Sequence, residues 1–148
     1  MKKGVLFAVL ILLADFFLKL FVHTQSPDIA VFSCGGIDFS IVHATNTGAA
    51  WGAFSSLSTY LLIFRIGVIG ALAVYLLFFK PRHPFAFLLI LAGATGNVID
   101  TFLYGHVIDM FYFKFWSYSY PVFNIADASI FLGVLILLFT KKNAPQRV

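Results

Sequence analysis

Three aspartates lie at or near the ends of apolar stretches in the second half of the chain: Asp100, Asp109 and Asp127. They occur in the segments GNVIDTFLYGHVIDM and PVFNIADASIFLG. A carboxylate close to hydrocarbon is energetically costly and is usually retained for function. Two carboxylates brought together from separate elements share a proton, and such a pair can activate a water molecule. The spacing therefore indicates acid–base or ion-handling chemistry at these aspartates.

The amino-acid composition is that of a membrane protein. Of the 148 residues, 61% are hydrophobic and only 11% are charged, whereas charged residues make up about 25% of a typical soluble domain. The chain has the length of one domain, and no Pro/Gly/Ser-rich linker or internal repeat divides the sequence. We therefore predict a single membrane domain over residues 1–148.

Four apolar segments reach the length of about 20 residues that a helix needs to cross a bilayer. They cover residues 4–22, 57–79, 85–103 and 121–140. The first opens like a cleaved signal peptide, but Asp15 and Lys19 follow within it and no clear A-x-A site comes after, which favours a retained span. Pro121 suits the first turn of the fourth helix, where its missing N–H costs little. The pattern predicts an all-α bundle of four transmembrane helices.

The orientation of the bundle follows from the basic residues in its loops, because short cytoplasmic loops are enriched in lysine and arginine. One side of the predicted bundle carries Lys2, Lys3, Lys80, Arg82, Lys141, Lys142 and Arg147, and the other side carries Lys114. Both termini are therefore predicted to be cytoplasmic, with segments 24–56 and 104–120 on the outside. The net charge of +4 then reflects topology, and no nucleic-acid partner is expected.

The two outer segments have different patterns. Segment 24–56 contains apolar/polar alternation and then a turn with glycine and asparagine, which predicts one or two strands on the membrane surface. Segment 104–120 is dense in aromatic residues, which favour the headgroup interface. These aromatic residues anchor the protein, flank a groove for a lipid-bearing substrate, or do both. Cys34 is the only cysteine, so an intrachain disulfide is excluded, and we interpret it as a loop residue rather than a nucleophile.

Polar side chains recur near the outer ends of the predicted third and fourth spans. Asn97 and Asp100 are three residues apart, and Asn124 and Asp127 repeat this spacing, so each pair shares a helix face. Asp127 falls within the fourth span, at a depth of roughly 9 Å below its predicted start. These residues predict a polar layer between the helices.

Other candidate residues extend this layer. Asp109 follows Gly105, which permits a turn after the third span, and Arg65 lies at a similar depth in the second span. Asp15 and Lys19 are four residues apart, on one face of the first span. This pair either neutralises itself near a membrane surface or forms a face that packs against the active site and stabilises it.

Two facing aspartates are sufficient for peptide hydrolysis. The ionised carboxylate removes a proton from water while the protonated one hydrogen-bonds to the carbonyl oxygen, and the roles reverse as the amine leaves. No metal or cofactor is expected for this chemistry. The histidines form no H-x-x-x-H pair, which argues against a zinc protease, and no G-x-S-x-G motif supports serine catalysis.

Two other functions use the same residue types. An ion or proton pathway also relies on intramembrane aspartates, but it requires acids across the full depth, whereas only Asp15 is predicted to lie apart from Asp100, Asp109 and Asp127. A structural scaffold with a buried hydrogen-bond network is a further alternative. Such a network needs asparagine, serine and threonine more than repeated ionisable acids, so the aspartates favour catalysis.

The chain resembles the bacterial prolipoprotein signal peptidases (signal peptidase II) in five successive motifs. These are Asp15 with Lys19, NTGAAWGAF (46–54), GNVID (96–100), GHVIDMF (105–111) and VFNIADASI (122–130). The resemblance covers most of the chain. It implies an aspartyl endopeptidase of the bacterial plasma membrane that removes the signal peptide from prolipoproteins, cutting just before a cysteine that carries diacylglycerol.

The resemblance also implies roles for particular residues. The catalytic aspartates of the family fall on Asp109 and Asp127. Supporting or substrate-binding positions fall on Asn46, Gly48, Asn97, Asp100 and Asn124. The family fold is a four-helix bundle with a small outer β-cradle, which agrees with the strands predicted in segment 24–56. The peptide antibiotic globomycin is implied as an inhibitor.

Two positions depart from the family pattern. The family usually has arginine directly after the GN-x-x-D aspartate, where this chain has Thr101. That arginine would orient neighbouring groups or contact the substrate backbone, and Arg65 or Lys114 is an alternative source of its charge. Trp51 replaces the phenylalanine that is common after the NxGAA run, a milder change that bears on the shape of the groove.

Overall fold

The computed structural model describes residues 2–47 and 58–140. In chain order, the described elements are α1 (Lys2–Gln25), β1 (Ile29–Cys34), β2 (Ile37–Asn46), α2 (Ser58–Phe79), α3 (Pro84–Tyr104), β3 (Val107–Phe115), β4 (Tyr118–Ser119) and α4 (Ile125–Phe139). Among them, α1, α3 and residues 59–79 of α2 are long and apolar enough to cross a membrane, and α4 is a shorter apolar helix. The first three predicted spans therefore correspond to helices.

The fourth helix begins later than predicted. α4 starts at Ile125 rather than near Pro121, because Asn124 caps it. The Asn124 side chain accepts the backbone N–H of Asp127 at 2.8 Å, and the Asp127 side chain accepts the backbone N–H of Asn124 at 3.4 Å. This capping box satisfies two N–H groups that have no partner within the helix. Asp127 therefore lies in the first turn of α4, and the predicted depth of roughly 9 Å is wrong.

The strands form one antiparallel sheet in the order β1-β2-β3-β4. β1 and β2 confirm the strands predicted in segment 24–56, whereas β3 and β4 arise from the aromatic segment 104–120, where none is predicted. Ala44 of β2 pairs with Asp109 of β3, after an irregularity in register between Ile41 and Ala44. Irregularities of this kind change the direction of side chains, and this one precedes the end of β2 that carries Asn46.

α3 packs against each of the other three helices. It approaches α4 closely at Gly93, where an added Cβ would lie 2.2 Å from the carbonyl oxygen of Ala126. Small residues of this kind allow helix backbones to approach each other in membranes. Towards the sheet, Val22, Ile108 and Met110 form a buried apolar cluster that joins α1 to β3. The helices and the sheet therefore meet close to Asp109.

Candidate active site

A glycine turn connects the end of α3 to the strand that carries Asp109. α3 ends at Gly105, whose φ of +76° is readily adopted by glycine, and whose backbone N–H donates to the carbonyl oxygen of Thr101. The chain then enters β3 two residues later. As a result, the backbone N–H of Ile108 donates to Oδ2 of Asp100 at 3.2 Å. This contact holds the start of β3 against the last turn of α3, next to Asp109.

Asp109 is buried and accepts hydrogen bonds on both carboxylate oxygens. Its Oδ1 accepts from Nδ2 of Asn124 at 2.7 Å, and its Oδ2 accepts from Nδ2 of Asn46 at 3.1 Å. Burial, followed by the negative charge of Asp127, raises the pKa of Asp109 to about 6, and these hydrogen bonds and the charge of Lys19 oppose the increase. A carboxyl group with this pKa exchanges its proton near neutral pH, as a general acid or base must.

Asp127 accepts hydrogen bonds at the first turn of α4. Its Oδ1 accepts from Nδ2 of Asn97 at 2.7 Å, and its Oδ2 accepts the backbone N–H of Asn124 at 3.4 Å. A helix N-terminus favours a negatively charged side chain at this position. Because the charge of Asp127 contributes to the raised pKa of Asp109, the two carboxyl groups interact, as in a pair that shares a proton.

Asn124 links the two aspartates and is fully buried. Its side-chain oxygen accepts the backbone N–H of Asp127, and its Nδ2 lies 2.7 Å from Oδ1 of Asp109. The same Nδ2 lies 3.1 Å from Oδ1 of Asn97 and 3.2 Å from the carbonyl oxygen of Ile108. A backbone N–H can only donate, so the orientation of the Asn124 amide is fixed. Asn124 therefore caps α4 and presents N–H donors to the site.

Lys19 is the centre of a buried group of polar side chains, which we call the lysine cluster: Lys19, Asp15, Asp100 and Asn97. The Lys19 ammonium lies 2.7 Å from Oδ2 of Asp15 and 2.8 Å from Oδ2 of Asp100, and it donates to Oδ1 of Asn97 at 2.9 Å. Lys19, Asp15 and Asp100 are each only 1% exposed. A buried ion pair of this kind requires hydrogen bonds for the remaining oxygens, and Oδ1 of Asp15 accepts one from the backbone N–H of Ala126 at 2.9 Å.

The lysine cluster decides between the two interpretations of Asp15 and Lys19. The pair packs against the site rather than neutralising itself at a surface, and the prediction that Asp15 lies apart from the other acids is wrong. The spacing of the pair identifies a face of α1 but not the neighbour that this face meets. Gly96 marks the contact, because an added Cβ there would lie 2.8 Å from Oδ2 of Asp15.

A cavity of about 780 Å³ opens beside Asp127. Its polar lining includes Asn46, Arg65 and Asn97. The apolar lining comes from segment 104–123 and from α4, and includes Phe113, Phe115, Tyr120, Phe123 and Phe131. The aromatic segment therefore flanks a groove next to the site, as one of the two interpretations of segment 104–120 predicts. A cavity with these walls can hold an apolar or lipid-bearing chain beside a carboxylate.

The remaining predicted residues have different outcomes. Gly48 and Trp51 lie outside the described residues. Thr101 donates its hydroxyl to the carbonyl oxygen of Asn97 at 2.9 Å, so this side chain is bonded within α3. Arg65 lines the same cavity as Asp127. Lys114 lies on β3, in register with Asp38 of β2.

A group of histidines near the site is not predicted, because its members are distant in the sequence. The ring centroids of His23 and His43 are 5.6 Å apart, and those of His23 and Tyr104 are 4.3 Å apart. Burial, followed by the charges of His23 and His106, lowers the pKa of His43 below its usual value. These histidines come from α1, from β2 and from the turn before β3, so they connect the elements that carry the site.

The fold and the site together define a membrane-type enzyme with four helices and a small antiparallel sheet. Two solved structures, each described as a bacterial membrane enzyme studied by the in meso method, have this fold. One, at 2.3 Å resolution, has a TM-score of 0.82 and 29% identity, and the match covers 100% of this chain and 95% of that chain. The other, at 1.9 Å resolution, has a TM-score of 0.77 and 30% identity, with coverage of 97% and 96%.

Comparison of sequences identifies the family. The family described as signal peptidase (SPase) II matches residues 7–141. A lipoprotein signal peptidase from Chlamydia pneumoniae is 38% identical, over 99% of this chain and 97% of that protein. Another from Chlamydia trachomatis serovar D is 44% identical, over 74% of this chain and 70% of that protein. The chain therefore belongs to the signal peptidase II family, and is a protease and a bacterial membrane protein.

Proposed function

We propose that this protein is an intramembrane aspartyl endopeptidase that removes the signal peptide from diacylglyceryl-modified prolipoproteins, cutting before the lipidated cysteine. One observation carries the aspartyl mechanism: Asn124 hydrogen-bonds to both Asp109 and Asp127, beside a large cavity with mainly apolar walls. The substrate class follows from the family and from the lipoprotein signal peptidases that the chain resembles. The apolar walls of the cavity suit the lipid portion of such a substrate.

Asp109 and Asp127 are the proposed catalytic pair. One carboxylate takes a proton from water, and the other carboxyl donates a hydrogen bond to the scissile carbonyl oxygen. Burial supports one ionised and one protonated carboxyl group, because two carboxyl groups in a low-dielectric site do not both ionise readily. Asn124 holds one oxygen of Asp109, and Asn46 holds the other. The chemistry requires only these groups and water.

The supporting residues have proposed roles that follow from their contacts. Asn46 and Asn124 position Asp109, and Asn97 positions Asp127. Asp100 holds the backbone of Ile108, next to Asp109, through a hydrogen bond of 3.2 Å. Gly48 is carried over from the family as a residue near the substrate.

We also propose the membrane topology predicted from the loops. Residues 1–148 form one domain that crosses the plasma membrane four times, with both termini in the cytoplasm and the site near the outer face. α4 is too short by itself, because its 15 residues extend about 22 Å at 1.5 Å per residue and a bilayer core is about 30 Å thick. Residues that flank α4 would complete the crossing.

A cleavage assay in detergent tests this function. A diacylglyceryl-modified prolipoprotein is incubated with wild type, Asp109→Asn or Asp127→Asn, and the loss of the signal peptide is followed by gel shift. Wild type is expected to cleave, and each variant is expected to remain folded without cleaving. Globomycin is expected to block the wild-type reaction. Asp38→Asn is the matched control, because Asp38 lies on the sheet and bonds Ser33 at 2.6 Å, away from the pair.

Two results would contradict the proposal. Turnover by folded Asp127→Asn would remove Asp127 from the catalytic pair. Failure of folded wild type to cleave would reject the substrate class. Under the ion-pathway alternative, any cleavage in the assay would come from another protease in the preparation. It would then be the same with wild type, Asp109→Asn and Asp127→Asn. Among the described residues, Asp15 and Asp100 both contact Lys19, and Asn97 connects Lys19 to Asp127, so these acids are grouped rather than spread across the depth of the bundle.

A further inference from the structure

We propose that Lys19, acting through the side-chain amide of Asn97, keeps Asp127 ionised, so that Asp109 carries the shared proton of the pair. This inference rests on the proposed function, because it assigns roles within the same two aspartates. Lys19 does not contact Asp127 itself. Lys19 and Asn97 are therefore positioning residues, and the contact that connects them to the pair is a hydrogen bond of 2.7 Å between Asn97 and Asp127.

The direction of this chain of hydrogen bonds is fixed at Lys19. An ammonium group has three donors and no acceptor, and its three partners are Asp15, Asp100 and Asn97. The oxygen of the Asn97 amide must therefore point towards Lys19, and its nitrogen must point towards Asp127. Rotating the amide by half a turn would place two donors against each other. Asn97 is consequently an obligatory donor to Asp127.

Both oxygens of Asp127 face groups that can only donate. Oδ1 faces the oriented Nδ2 of Asn97, and Oδ2 faces the backbone N–H of Asn124 at 3.4 Å. A proton on either oxygen would face one of these donors and displace it. The N-terminus of α4, where Asp127 lies, further favours a negative charge. The hydrogen bonds around Asp127 are therefore those of a carboxylate.

Asp109 has a different environment. Its Oδ1 faces the fixed donor of Asn124 at 2.7 Å, but its Oδ2 faces the side-chain amide of Asn46 at 3.1 Å. Asp109 lies on a strand rather than at the N-terminus of a helix, so it lacks the helix dipole that favours a negative charge on Asp127. The raised pKa of Asp109, about 6, agrees with a carboxyl group that retains its proton more readily than an exposed one.

The charges around the pair come from all the helices that meet there. Lys19 and Asp15 are on α1, Asp100 is on α3, and Arg65 on α2 lines the cavity beside Asp127. Asp15 and Asp100 together outweigh Lys19, so the lysine cluster is negative as a whole and does not favour a further carboxylate by its net charge. The directed contact through Asn97 therefore distinguishes Asp127 from Asp109, and Arg65 adds positive charge on the cavity side.

This assignment gives each aspartate one role in the reaction. Asp127 accepts a proton from water as the water oxygen bonds to the scissile carbonyl carbon, and Asp109 transfers its proton to the carbonyl oxygen. When the C–N bond breaks, Asp127 gives its proton to the departing nitrogen, and Asp109 recovers a proton from a hydroxyl of the intermediate. Both aspartates return to their starting states, and no oxidation or reduction occurs.

The pH profile of kcat/KM tests the inference with the full-length protein in detergent and a diacylglyceryl-modified prolipoprotein as substrate. The acid limb of such a profile reports the group that must be ionised, and the alkaline limb reports the group that must be protonated. Without the Lys19 cation, the acid limb is expected to move by about one pH unit or more to higher pH. The alkaline limb is expected to move less.

The decisive variant combines Lys19→Met with Asp100→Asn. Lys19→Met alone would leave two buried carboxylates without their cation, and such a protein often fails to fold. The double variant removes one cation and one carboxylate, so the net charge of the lysine cluster is unchanged while the donor to Asn97 is lost. Asn97→Ser tests the same connection independently. Serine keeps a hydroxyl acceptor for Lys19, but its side chain is too short to reach Asp127.

Ser129→Ala is the matched control. It removes another buried hydrogen bond between α4 and α3, from Ser129 Oγ to the carbonyl oxygen of Leu89 at 2.8 Å, without touching the lysine cluster. A shifted acid limb in the double variant or in Asn97→Ser, with an unshifted control, supports the inference. Active variants with both limbs at the wild-type pH, or with only the alkaline limb shifted, overturn it. Absence of cleavage by the folded wild-type protein would instead reject the proposed function.

Discussion

Nδ2 of Asn124 lies 2.7 Å from Oδ1 of Asp109, and this contact joins the start of α4 to the strand β3. The same side chain accepts the backbone N–H of Asp127 at 2.8 Å and so begins the helix. A helix cap and an active-site contact are usually separate features that a mutation can affect independently. Here Asn124 serves as both the helix cap and the contact to Asp109. The position of Asp127 relative to Asp109 therefore depends on where α4 begins.

Replacing Asn124 by serine should separate these two roles. Serine is a good helix cap and keeps an acceptor for the N–H of Asp127, but it is too short to also position Asp109. We expect cleavage to fall by about 100-fold, the cost of a misplaced catalytic group. The free energy of unfolding should fall by about 1 kcal/mol more in Asn124→Ala than in Asn124→Ser, because alanine cannot cap. Wild-type cleavage by folded Asn124→Ser would contradict the assigned contact.

The close approach of α3 and α4 predicts a specific sensitivity at Gly93. An added Cβ would lie 2.2 Å from the carbonyl oxygen of Ala126, so Gly93→Ala forces the helices apart. We expect a loss of about 1–3 kcal/mol, as for other overpacked interiors, measured as a lower thermal midpoint in detergent. Gly67→Ala is the control, because nothing lies within 4 Å of its added Cβ. Equal midpoints for the two variants would show that this contact is not tight.

The buried carboxyl group of Asp109 predicts a pH-dependent stability. Its pKa is about 6 in the folded protein, against 3.8 as the reference value, so its contribution is fully present below pH 3.8 and is lost as the pH rises through about 6. The full difference between these two pKa values corresponds to about 3 kcal/mol in the free energy of unfolding. Because asparagine does not titrate, the thermal midpoint of Asp109→Asn relative to wild type should rise from pH 4 to pH 8. A constant or falling difference would contradict a raised pKa.

His43 predicts the opposite dependence on pH. Burial and the neighbouring His23 and His106 lower its pKa from the reference value of 6.5, so its contribution to stability is present above pH 6.5 and is lost as the pH falls through the folded-state pKa. Between pH 7.5 and pH 5, wild type should therefore lose more thermal stability than His43→Gln. His83→Gln, at the start of α3, is the control and should follow the wild type.

Much of the site could be predicted because its residue types are unusual in an apolar chain. Asp109, Asp127 and Asn97 stand out individually, and the order of the motifs leads to the family. The apolar segments likewise mark three helices well, because length and composition alone define a membrane span. These features depend on local sequence and need no knowledge of packing.

The features that could not be predicted depend on contacts between distant segments. β3 begins with four consecutive buried residues, from Val107 to Met110, so it shows no alternation that would identify a strand. The sequence predicts the start of α4 near Pro121, because the pattern does not show the reciprocal pair of hydrogen bonds that caps the helix at Asn124. Likewise, the i,i+4 spacing of Asp15 and Lys19 does not tell which helix their face will meet.

The order of the segments along the chain has a consequence for the synthesis of this protease. Asp109 takes its two hydrogen bonds from Asn46, at the end of β2, and from Asn124, at the start of the last described helix. A growing chain that has not yet released α4 lacks Asp127 and half of the support for Asp109. The two aspartates can therefore come together only after α4 has been synthesised and Asn124 has reached Asp109 on β3.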